Sequence, residues 1–77
     1  MTIKVLAFGK LADILSRQEW EMTGVDTAGS VRRQLEEQFP ALKGLRYQIA
    51  VDKKIATDDS LLGENAVVAL LPPFSGG

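Results

Sequence analysis

The sequence contains neither cysteine nor histidine. Without thiols there can be no disulfide staple, no thiolate metal site and no cysteine nucleophile. Without imidazole, the Ser-His and Cys-His pairs of nucleophilic catalysis and the common zinc sites are gone as well. The chain is therefore expected to act through a partner rather than as an enzyme alone, with no metal and no cofactor bound to it. An excess of either charge sign is also missing: nine Lys and Arg face ten Asp and Glu, and they are scattered. That balance gives no electrostatic footprint for nucleic acid or a membrane surface. Long apolar runs are absent too. The longest, Ala66 to Leu71, is six residues, against the roughly 20 that a membrane span needs. The opening MTIKVLAFGK is too short for a signal peptide and lacks a small-residue cleavage site, so a soluble, cytoplasmic protein is expected.

What is present is one compact domain's worth of chain. Seventy-seven residues build one core, and ordering them costs about 1.5 kcal/mol each, so most of the apolar residues must be buried for the fold to break even. Thr2 to Phe8 alternates as a strand, with Ile3, Val5 and Ala7 on one face and Lys4, Leu6 and Phe8 on the other. Gly9 breaks it, and Leu11, Ile14 and Leu15 then follow at the spacing of a short helix. Arg17 to Thr23 returns to period two, a strand half in water that ends at Gly24.

After a loop of Asp26, Thr27 and Gly29, Ser30 is the expected helix N-cap, because Val31, Leu35 and Phe39 follow at four-residue spacing. Pro40 stops that helix near Gln38. Tyr47, Ile49 and Val51 mark a third strand, which turns at Asp52-Lys53-Lys54 into a very short fourth around Ile55. Thr57 to Leu62 reads as turn or 3-10 material. Gly63-Glu64-Asn65 is a further turn, and the unbroken Ala66 to Leu71 suggests a central strand covered on both faces. Strands on either side of one main helix imply an α+β layer of sheet on helix. The order matches the β-grasp fold: a mixed sheet of about five strands on one main helix plus a short helix.

Most candidate chemistry dissolves on inspection. Gly9-Lys10 would need glycine at position 4 and a hydroxyl at 11 to be a phosphate loop, and Lys4 and Leu11 stand there. Glu36-Glu37 and Asp58-Asp59 are adjacent carboxylates that do not converge on a point, and they read as solvated surface. Arg32-Arg33 and Lys53-Lys54 read as solubilising charge, and Trp20 and Tyr47 as core or edge residues with a polar tip. Phe8, Ile55 and Leu71 are different. Phe8 lies opposite the Ile3-Val5-Ala7 face, and an apolar patch on the outer face of a sheet would mark a docking site. The alternative, that a second helix or the chain's own loops cover them, stays open.

The segment LLPPFSGG at 70 to 77 is the most informative. Pro72 and Pro73 carry no amide hydrogen, so the last strand cannot extend its ladder and the chain leaves the sheet in a stiff, extended form. Phe74, Ser75, Gly76 and Gly77 add reach with little bulk. Six residues from Pro72 span up to roughly 20 Å. The division expected is a domain over residues 1–71 and an extended tail over 72–77; the bland alternative is a frayed end.

IKVLAFG at 3 to 9, the Ser30-Val31 pair, AVDKKIA at 50 to 56, Gly63-Glu64 and VALLPPFSGG at 68 to 77 together resemble the ubiquitin-like sulfur carriers of the MoaD/ThiS kind, and in particular the small subunits of molybdopterin synthase. The likeness spans essentially the whole chain, and PP-x-[ST]-GG is its most specific part. Two positions depart from the pattern: Asp52 replaces a more usual asparagine, and Phe74 a frequent valine. The resemblance implies that the carboxylate of Gly77 is adenylated by an E1-like, MoeB-like enzyme that uses ATP, then converted to a thiocarboxylate. It further implies that Pro72, Pro73, Phe74, Ser75 and Gly76 thread into a large, MoaE-like synthase subunit, that Phe8, Ile55 and Leu71 dock on both partners, and that two small and two large subunits form a heterotetramer. Two other readings remain within reach of the residues. One is a carrier for thiazole or another acceptor, or a modifier conjugated to lysines through Gly77; the other is a ubiquitin-like interaction module whose tail has no chemistry.

Overall fold

The computed structural model describes residues 2–72. Strand β1 (Thr2–Ala7) leads into α1 (Lys10–Leu15) and then β2 (Glu19–Thr23); α2 (Ala28–Gln38) follows, with a 3-10 turn at Pro40–Gly44, and the chain closes with β3 (Gln48–Val51), β4 (Lys54–Ile55) and β5 (Val67–Leu71). The five strands form one sheet in the order β2-β1-β5-β3-β4. Only the β1 and β5 pair is parallel, and the other neighbours are antiparallel. This is the mixed β-grasp sheet expected from the order of elements.

Alternation decides which side of the sheet meets α2. Ile3, Val5 and Ala7 of β1, Val68 and Leu70 of β5 and Ile49 of β3 are buried, and they join Val31 and Leu35 of α2 in one core with Leu11, Leu15 and Leu42. Val5, Val31 and Val68 are completely buried, so each sits where loss of even one methyl leaves a void. Burying a side chain of this size contributes about 1.5–3 kcal/mol.

Two expectations about α2 and β5 need correction. The N-cap is Thr27, not Ser30: Thr27 is extended (φ −134°, ψ 162°), and its hydroxyl accepts the Ser30 amide at 3.1 Å. Ser30 completes the cap from inside the helix, its Oγ accepting the Thr27 amide at 3.0 Å and donating to the Thr27 carbonyl at 2.7 Å. The two hydroxyls thus satisfy donors that the first helical turn would leave unpaired. The helix begins three residues earlier than the apolar spacing indicated because its first turn is buried through small residues, Ala28 and Gly29. Gly29 has to be small: its amide donates to the Asp58 carbonyl at 2.9 Å, and a Cβ at position 29 would lie 2.9 Å from that same oxygen.

The second correction concerns cover. Strand β5 is central, but it is not buried on both faces; Val68 and Leu70 point into the core, whereas Val67, Ala69 and Leu71 are only half-buried. Edges of elements also shift. Strand β1 stops at Ala7, β2 starts at Glu19, β3 at Gln48 and β5 at Val67. The 3-10 turn after Pro40 went unanticipated, and it carries the fully buried Leu42. Thr57 to Leu62 contains turns and one isolated bridge, Thr27 to Leu61, rather than a 3-10 helix.

Candidate functional site

The register of the four strand pairs builds the outer face of the sheet row by row. Cross-strand neighbours share a face, so one row runs Glu19, Leu6, Ala69, Ala50, Ile55 from β2 to β4. The row on one side holds Leu71 and Gln48, with Phe8 at the end of β1, where its amide donates to the Leu70 carbonyl at 3.3 Å. The row on the other side runs Glu21, Lys4, Val67. Phe8 is 47% exposed and Ile55 62%, and Leu71 is half-buried. None of the three packs against the core with Ile3 and its neighbours.

The structure therefore brings Phe8, Ile55 and Leu71 onto one surface. Sequence reading missed how Ala50, Val67 and Ala69 join them with Leu6 to make it continuous. Ala50 is itself buried, yet it stands apart from the core cluster; flanked by Ala69 and Ile55 in its row, it is too short to reach water. Leu6 was legible as a partner of Phe8 from alternation, whereas the others depend on which strands pair, a long-range property that spacing within one strand does not report. Leu61, 79% exposed, was also missed; it bridges to Thr27, away from these rows.

Charge borders this face on the β2 side. The Lys4 ammonium lies 3.4 Å from a Glu19 carboxylate oxygen, both side chains being well exposed, so the pair adds little to stability. Beside it a cleft of about 570 Å³ opens between β1, α1 and the start of β2, with Leu6, Phe8, Gly9, Ala12, Asp13 and Glu19 among its lining residues. At the far side, the β3–β4 reversal places Asp52 and Lys53 at positive φ (50° and 74°), the backbone a tight hairpin turn demands. Asp52 tolerates it and uses its carboxylate to accept the Val67 amide at 3.1 Å. The departure from asparagine at this position leaves that acceptor in place.

On the opposite layer, four residues expected to be plain surface or core turn out to be linked. The Tyr47 hydroxyl donates to Glu36 at 2.7 Å, and Arg32 lies over the Tyr47 ring at 5.2 Å while its Nε donates to Asp58 at 3.0 Å. Burial, with the Glu36 carboxylate beside it, pushes the Tyr47 phenol well above its ordinary range, and Arg32 opposes the shift only in part. The network ties α2 to the start of β3 and to the loop at 58; its carboxylates are engaged separately and do not converge. Among the described residues no group of three or more potential ligands could hold a metal ion, and no helix is long and apolar enough to cross a membrane.

Pro72 is half-buried and packs beside Gly9: a Cβ on Gly9 would lie 3.4 Å from Pro72 Cγ. The remaining tail positions singled out in the sequence, Pro73, Phe74, Ser75, Gly76 and Gly77, lie outside the described residues. The ThiS family's sequence profile matches residues 5–77, tail included. The chain is 32% identical over 80 aligned positions to the molybdopterin synthase sulfur carrier subunit of Mycobacterium tuberculosis (strain ATCC 25618 / H37Rv), covering 97% of this chain and 96% of that one. A solved structure described as molybdopterin converting factor subunit 1 of Pyrococcus furiosus superposes with a TM-score of 0.84 at 18% identity, over 96% of this chain and 99% of that one. A complex of subunits 1 and 2 of the molybdopterin-converting factor from Helicobacter pylori 26695 contains a chain that matches with a TM-score of 0.70 at 23% identity, each covered in full. At these identities the two structures establish the fold. The profile match and the near full-length relative establish more: this chain belongs to the ThiS family.

Proposed function

We propose that the chain is the sulfur carrier subunit of a molybdopterin synthase, working through the α-carboxylate of Gly77. The observation that carries this is the likeness, at 32% identity over 97% of the chain, to a protein of that function, in a family whose match runs through Gly76 and Gly77. The chemistry suits a chain without cysteine. A carboxylate is a poor acyl donor, so an E1-like partner first joins a Gly77 oxygen to the α-phosphate of ATP, releasing pyrophosphate. A sulfur nucleophile supplied by a donor then attacks the Gly77 carbonyl, and AMP leaves with the bonding pair. The resulting thiocarboxylate holds sulfur at the end of a thin arm. Inside the large synthase subunit that sulfur is transferred to a cyclic pyranopterin monophosphate precursor, two carriers in turn supplying the dithiolene.

The parts of the fold divide this work. Leu6, Phe8, Ile55, Ala69 and Leu71 present the apolar face on which the partners dock, Pro72 and Pro73 stiffen the arm and reduce the ordering cost of insertion, and Gly76 and Gly77 let the backbone enter a narrow channel. A complex of subunits 1 and 2 among the structural neighbours supports a large-subunit partner; two carriers at the ends of a large-subunit dimer, in the cytoplasm, complete the proposal. Exchange of labelled pyrophosphate into ATP by the activating partner tests it. The full chain should support exchange, and a chain lacking Gly77 should not, while both keep the same amide spectrum. Exchange that survives loss of Gly77 refutes the mechanism, and copurification with a thiazole synthase instead of a large synthase subunit would reassign the pathway.

A further inference from the structure

The end of the β1–β5 ladder contains a hand-over that assigns Gly9 a part in the proposed activity. In this parallel pair the Lys4 amide donates to the Ala66 carbonyl at 3.0 Å, and the Phe8 amide to the Leu70 carbonyl at 3.3 Å. The next rung would run from the amide of residue 72 to the Phe8 carbonyl. Pro72 has no such amide, and the Phe8 carbonyl instead accepts the Leu11 amide at 3.2 Å, opening α1. One acceptor is thus withdrawn from the sheet and given to the helix at the position where the chain departs. The residue that makes the exchange possible is Gly9. Its backbone (φ 58°, ψ −134°) lies in a region that residues with a Cβ avoid. Its carbonyl accepts the Ala12 amide at 3.1 Å, and its bare Cα faces Pro72, with room for no more than a contact at 3.4 Å.

We propose that Gly9 is a positioning residue for the carrier tail. By turning β1 into α1 beneath the Pro72 ring, it sets the direction of the chain where it leaves the sheet at Pro72, and with it, on the carrier reading, how the terminal carboxylate is presented once the sheet has docked. The inference rests on the carrier reading for its chemistry, but its geometry can be tested without it. Misplacing a reacting group by an ångström costs up to about a hundredfold in rate. Gly9→Ala adds a side chain under the ring and strains the turn, while Pro72→Ala removes the ring and restores the missing donor, so that the ladder competes for the Phe8 carbonyl.

Two readouts decide the matter. Because the chain has no cysteine, a nitroxide on Ser75→Cys labels one site, and its paramagnetic broadening of backbone amides maps where the tail points. The maps of Gly9→Ala and Pro72→Ala should differ from that of the parent. In pyrophosphate exchange both variants should lose kcat by about tenfold or more; Gly9→Ala, which alters no residue of the docking face, should do so with KM for the carrier unchanged. Unchanged maps overturn the proposal, as does a loss that falls on KM instead of kcat. If Gly9→Ala does not fold, Pro72→Ala carries the same two expectations. If the parent chain itself supports no exchange, the carrier reading fails, and the maps alone decide whether Gly9 directs the tail.

Discussion

Ile55→Ala separates docking from folding. Ile55 lies on the two-residue strand β4, is 62% exposed and touches the outer row of the sheet rather than the core. Fully burying an isoleucine side chain is favourable by about 1.5–3 kcal/mol, and somewhat over half of that remains to be gained when a partner covers it. Truncation should therefore weaken binding to the large synthase subunit by about 1–2 kcal/mol, or roughly 5- to 30-fold in Kd. The fold should barely notice, with a loss of under about 1 kcal/mol from reduced strand preference. Leu70→Ala is the matched contrast, because Leu70 is completely buried on the other face of the same sheet. There the expected cost is about 2–5 kcal/mol in unfolding free energy. Titration calorimetry with the large subunit and urea unfolding measure the two quantities. If Ile55→Ala binds with unchanged Kd, or destabilises the chain as much as Leu70→Ala does, the outer face is not the docking surface.

Two further substitutions test the layer that holds the helix. Thr27→Ala removes the acceptor for the Ser30 amide and should lower unfolding free energy by about 1 kcal/mol in urea melts; no loss would return the N-cap to Ser30. Tyr47→Phe deletes the donor to Glu36 and should cost about 1.5 kcal/mol at neutral pH. Its pH dependence has a definite sign: the folded phenol ionises above its ordinary range, so the unfolded chain sheds this proton first, and stability falls as pH rises beyond about 10. Tyr47→Phe should flatten that alkaline loss, and a slope unchanged by the substitution would contradict the burial of the phenol.

How much of this was readable in the sequence depends on the range over which each feature is determined. The β1 alternation put Phe8 where the structure has it, because period two is a local property. The start of α2 was misread because Ala28 and Gly29 are buried, Gly29 against Asp58, and small residues give no apolar signal of their own. Ala50 and Ala69 escaped notice for a related reason. Their importance comes from being neighbours across the β3–β5 pair, and only the pairing reveals it. The cover expected over the second face of β5 was inferred from a continuous apolar run, yet such a run is equally what a sheet needs if its outer side is reserved for another protein. Gly9 read merely as a strand breaker; its place beside Pro72 joins two positions far apart in the chain.

The decisive measurement is where the chain carries sulfur. The full chain, incubated with an E1-like activating enzyme, ATP and a sulfur donor, should gain the mass of one sulfur-for-oxygen exchange, and fragmentation should place it on Gly77. A chain whose mass stays unchanged under conditions that load another member of the family, or a sulfur located anywhere but Gly77, would contradict it.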